Sequence, residues 1–66
     1  MFGRLVRVGN RDVGTVYVVA ESDPAKAIEI IRNNVGGPHV ELEDLGRVNA
    51  SLLKALSLQS GQFIRT

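Results

Sequence analysis

The sequence predicts a small α+β domain: a mixed sheet of three or four strands with two helices on one face, in the order ββαβα with room for a final β. Three observations predict it. Residues 22–37 carry both ends of one amphipathic helix, Val-rich runs flank that helix on either side, and a leucine-rich helical pattern follows the last clear strand. Sixty-six residues make a single domain, 1–66. A domain of this size buries only about 60% of the surface its unfolded chain exposes, so dimerisation would add to a thin stability margin.

The first twenty residues alternate Val and Leu with polar residues on both sides of Gly9-Asn10, a dipeptide suited to a two-residue hairpin turn. With that turn, Arg7 faces Asp12 and Val6 faces Val13; a longer loop through Arg11 and Asp12 to Gly14 would change the register. The run from Val16 to Ala20 is apolar on both faces, as expected of a strand inside the sheet. In the helix, Ser22 or Asp23 caps the first turn and Pro24 occupies a position where its missing N–H costs nothing. Ala27, Ile28, Ile31 and Val35, widened by Ile30, form the apolar stripe, and Gly36, Gly37 and Pro38 end the helix. A crossover from strand to helix to strand is expected to be right-handed.

Residues 39–43 alternate and predict a third strand with Val40 and Leu42 inward and His39, Glu41 and Glu43 outward. Leu45, Gly46, Arg47 and Val48 then read as a turn, and Asn49 or Ser51 caps a shorter helix carrying Leu52, Leu53, Ala55 and Leu56. Ser60-Gly61 reads as a turn into a short edge strand or extended tail over residues 62–65. Three or four strands leave one sheet face bare, to be covered by the tail or by a second subunit.

The chain has no cysteine, so no disulfide framework or cysteine zinc site is available, and a cytoplasmic setting is expected. The N-terminus holds Arg4, Arg7 and Arg11 without an apolar run of signal-peptide kind, and no segment reaches membrane-spanning length, so a soluble protein is expected. Net charge is +1, distributed as +2 over residues 1–20, −3 over 21–48 and +2 over 49–66. That balance is ordinary for a solvated surface.

Catalytic chemistry is sparse. There is one histidine, no cysteine nucleophile and no phosphate-binding loop, and Ser51, His39 and Asp44 form a triad on paper only. The protein is expected not to be an enzyme and to need no cofactor. His39, Glu41 and Glu43 with Asp44 are the one row with metal-ligand chemistry, but alternate residues of a strand stand about 7 Å apart and a polar solvent face explains the same letters. No metal is expected. Asn49-Ala50-Ser51 matches a glycosylation sequon and is better read as a helix cap.

Two functional readings remain. The first is a protein-interaction or accessory module, with an unknown protein or a second copy of the chain as partner, and with Leu52, Leu53 and Leu56 as candidate interface. Leu45, Val48, Leu52, Leu53, Leu56 and Leu58 would leave an apolar patch if the second helix packed by one face alone. The second is a nucleic-acid-binding module using the basic hairpin. Arg4, Arg11 and Tyr17 are its candidate contacts, because cations beside aromatics supply phosphate and base contact. Phe2, Arg4 and Tyr17 share a face, with Arg11 at its far end and Arg7 on the opposite face. Membranes are not expected as partners.

Gly46-Arg47-Val48 followed by the run from Leu53 to Gln62 resembles a stretch of AbrB/MazE-type swapped-hairpin transcription factors. There, a strand bearing Gly-Arg-Val leads to a helix ending Ala-Leu-x-Leu-x-x-Gly-Asp. The resemblance covers residues 46–64 and implies a DNA-binding dimer. Gln62 stands where that family has Asp, its proline ahead of the helix is absent, and the spacing from Gly-Arg-Val to the helix is shorter. The same letters also mean simply that a helix ends, a leucine returns to the core and a glycine turns the chain into a strand.

Overall fold

A computed structural model of the chain describes residues 2–9, 14–37 and 39–66. The Val- and Leu-rich segments pair into one sheet of β1 (Gly3–Val8), β2 (Thr15–Val19), β3 (Leu42–Val48) and β4 (Phe63–Arg65), in the spatial order β3-β1-β2-β4. Between them, α1 (Pro24–Ile31) links β2 to β3 and α2 (Ala50–Ala55) links β3 to β4. The α+β class and the order ββαβα with a final β are as the sequence predicts.

The sheet is antiparallel at every pairing rather than mixed. β2 and β3, joined through α1, do run in the same direction, but β1 lies between them. The crossover therefore skips a strand and creates no parallel ladder. β2, apolar on both faces, is an inner strand as expected.

In the hairpin, Arg7 pairs with Val16 and Val6 with Tyr17, so the two-residue turn with Arg7 opposite Asp12 gives way to the longer loop. Asn10, Arg11, Asp12 and Val13 lie outside the described residues. The two registers differ by an even number of residues, which keeps every side chain on its face; alternation alone cannot tell them apart.

The helices cover opposite faces of the sheet, not one. On one side Val6 and Val19 meet Ala27 and Ile31 of α1, all fully buried, with Tyr17, Leu42 and Phe63 packed around them. On the other, Val18, Ala20 and Val48 meet Leu53 of α2, with Leu5, Leu56 and Leu58 beside them. Val18 and Val19 are adjacent on a strand and point opposite ways, so each needs its own cover. Complete burial of Ile31 contributes about 1.5–3 kcal/mol.

α1 begins as its sequence predicts. Asp23 accepts hydrogen bonds from the backbone N–H groups of Ala25 at 2.9 Å and Lys26 at 3.4 Å, and Pro24 is the first helical residue. Its last stretch, Arg32–Gly36, widens into a π turn, closed by the Gly37 N–H donating to Arg32 O at 2.8 Å and by Gly37 at φ 79°. Val35 is 43% exposed and leaves the expected stripe, while Gly36 is buried. A Cβ on Gly36 would lie 3.2 Å from Leu42 Cδ2, so the widened turn seats bare backbone against β3.

β3 starts later and runs further than expected. His39 and Val40 precede it, and Leu45, Gly46, Arg47 and Val48 continue the strand instead of turning it. The register passes from Leu5↔Gly46 to Val6↔Asp44, so Leu45 is the extra residue of a β-bulge. Gly46 at φ 131° supplies the backbone freedom the bulge requires.

Asn49 caps α2 by accepting from Leu52 N–H at 2.9 Å. The helix ends in a Schellman motif: Leu58 N–H donates to Leu53 O and Ser57 N–H to Lys54 O, both at 3.0 Å, with Ser57 at φ 58°. Leu53 and Leu58 share the core beneath. Gly61, at φ 84°, then turns the chain into β4, tied to β2 by Ala20 N–H to Gln62 O at 2.8 Å and Thr66 N–H to Val16 O at 2.9 Å. The tail is thus an edge strand to its end.

Two substitutions test this account by urea denaturation. Ser57→Gly relieves the left-handed strain of a side-chain-bearing residue and should stabilise the protein by about 0.5–1 kcal/mol. Gly3→Ala should destabilise it by about 1–3 kcal/mol, because the added Cβ would sit 3.0 Å from Leu53 Cδ2 and unacceptably close to Val19 O.

Candidate interaction surfaces

Three arginines of β1 and β3 lie close together in the sheet, and the structure gives each a different partner. Arg4 binds Asp44 through two parallel contacts, Nε to Oδ1 at 3.0 Å and Nη2 to Oδ2 at 2.5 Å. Both side chains are largely shielded, 15% and 22% exposed. The hydrogen bonds to Asp44 raise the Arg4 pKa, and those from Arg4 hold the Asp44 carboxyl below its usual range. Arg7 pairs with Glu43 on the opposite face of the sheet, the α2 side. Arg47 lies over the Phe2 ring, its guanidinium carbon 4.9 Å from the centroid.

Tyr17 sits on the α1 side in an edge-on contact with Phe63, ring centroids 5.9 Å apart at 71°. Arg4 and Tyr17 therefore share a face, as the sequence predicts, but one is bound to a carboxylate and the other is packed in the sheet. Arg11 lies outside the described residues. The two described candidates, Arg4 and Tyr17, do not form one open surface.

The candidate leucines separate. Leu53 is 4% exposed and belongs to the core, Leu56 is half-buried against it, and Leu52 is 42% exposed. α2 completes one turn and a half, enough to bury a single side chain. Among the described strand residues two large apolar side chains stand exposed: Leu45, the unpaired residue of the bulge and part of the apolar patch the sequence suggests, and Ile64, which pairs with Val18 on the α2 side and which sequence reading missed. Alternation from a correctly placed β4 would have found Ile64; nothing local in the sequence marks the bulge.

The carboxylates near His39 in sequence are dispersed in the structure. His39 precedes β3, Glu43 faces the α2 side and Asp44 the α1 side, and among the described residues no group of three or more His, Asp or Glu could hold a metal. Ser51, in α2, lies across the sheet from the Asp44 side chain. Among the described residues no helix is long and apolar enough to cross a membrane. Set against known protein families, curated proteins and solved structures, the chain gives no match.

The Arg4–Asp44 pair predicts an acid-dependent stability. Asp44 titrates lower in the folded chain than in the unfolded one, where a carboxyl has its ordinary pKa of about 3.9. Its contribution is complete above about pH 5 and is lost as pH falls through the depressed folded value. Asp44→Asn should lower the urea midpoint at neutral pH and flatten its fall toward about pH 3, relative to the parent chain.

Proposed function

We propose that this chain is a small non-enzymatic interaction module that self-associates through the α2 side of its sheet. One observation carries the reading. Of the large apolar side chains that stand exposed among the described residues, Leu52 and Ile64 are on that side, beside a six-residue helix that buries only Leu53. α1, by contrast, buries both Ala27 and Ile31.

A second copy is the occupant that the charges favour. Arg7 and Glu43 stand on this same face beyond the reach of α2, with half-buried Val16 beside Arg7. Paired with each other, the two leave the face without net charge, so a second copy can meet it about a twofold axis without repulsion. A net charge of +1 adds little repulsion between copies. A cytoplasmic setting belongs to the same proposal. The nucleic-acid reading finds less support, because Arg4 and Tyr17 are already engaged.

Sedimentation velocity over a range of concentrations tests the proposal, with the expected result a dimer that persists in moderate salt. Combining Leu52→Glu with Ile64→Glu, both at exposed positions, should give a folded monomer, whereas Val35→Glu on the other side should leave the dimer intact. Leu53→Glu is unsuitable, since it would place a charge in the core and unfold the chain. A parent chain that stays monomeric at millimolar concentration, or a double variant that still dimerises, would overturn the reading.

A further inference from the structure

We propose that the groove walled by Phe2, Arg47 and the start of α2 binds a small oxyanion, a carboxylate or phosphate group carried on a compact apolar body. The groove is open to solvent, has a volume of about 500 Å³ and is lined by Phe2, Arg47, Val48, Asn49 and Ala50.

Arg47 is the recognition element. Its neighbour across the strand pair is Arg4, which already holds both oxygens of Asp44, and Arg7 holds Glu43. Among the described residues Arg47 has no carboxylate of its own; its contact is the Phe2 ring. A ring contact of this kind supplies no acceptor for the guanidinium N–H groups, and their fork matches the paired oxygens of a carboxylate or phosphate. Phe2 thus orients the cation without neutralising it.

The rest of the lining suits a ligand of mixed character. Asn49 Oδ1 is committed to Leu52 N–H, which leaves its side-chain N–H groups as donors at the rim. Phe2, Val48 and Ala50 supply apolar wall. The register places Arg47 on the α1 side of β3, while Asn49 and Ala50 belong to the start of α2, so the groove lies where the end of β3 meets that helix.

The test is an amide and arginine Nε–H NMR titration of the full chain at fixed ionic strength with benzoate and with phenyl phosphate, and with benzyl alcohol as the uncharged control. The expected result is saturable shifts at Arg47, Asn49 and Ala50 with at least one anion and none with the alcohol; the tighter anion identifies which oxyanion the groove takes. Arg47→Gln should weaken binding about tenfold or more, the loss of a charge-assisted pair. Arg47→Lys, which keeps the charge and loses the fork, should weaken it as well. Absence of saturable shifts with both anions, equal shifts with benzyl alcohol, or unchanged binding in both folded variants would overturn the proposal.

Discussion

The rest of the structure depends on the double-sided burial of the two inner strands. Val18 and Val19 are neighbours on β2 that enter different cores, and on β1 Leu5 and Val6 do the same. A chain of 66 residues must therefore divide its apolar side chains between two thin layers instead of gathering them into one. That division dictates one helix per face, a β2-to-β3 connection that passes over β1, and a glycine at position 3, where β1 passes closest to Leu53. It also sets the asymmetry of the molecule. α1 with its widened last turn seals its face, and the short α2 covers its own face at one end only.

Charge placement follows from the same sheet. The bulge at Leu45 shifts the register of β3 by one residue, and a shift of one exchanges faces. Asp44 is thereby delivered to the α1 side within reach of Arg4, and Glu43 to the α2 side opposite Arg7. With both acids of β3 committed, Arg47 at the far end of the strand is left to an aromatic ring. The proposed anion groove and the charge-balanced α2 face are both consequences of one inserted residue in an edge strand.

Much of this was legible in the letters. Asp23-Pro24 and Gly37 bound the first helical segment because capping and positive φ are local chemistry, and the doubly apolar run of β2 announced an inner strand. The hairpin register was not legible, because an even shift leaves the alternation unchanged. Nor was the run of β3 through Gly46, since a glycine beside a leucine reads as a turn until β1 is seen to need a partner along its whole length. The candidate site suffered for related reasons. Arg4 looked available because Asp44, forty positions away, gave no sign of being its partner, and Leu53 looked like Leu52 because one-residue differences on a short helix decide which leucine faces the sheet.

The bulge has one more consequence, at the level of many molecules. β3 is an outer strand seven residues long, and a flat strand of that length would be a template for another chain to add to, copy after copy, into fibrils. Leu45 and Gly46 break its straight run of backbone donors and acceptors, and Glu43, Asp44 and Arg47 put charge on both sides of the break. The opposite border, β4, is only three residues long. Both borders of the sheet are thus poor templates for open-ended growth by strand addition.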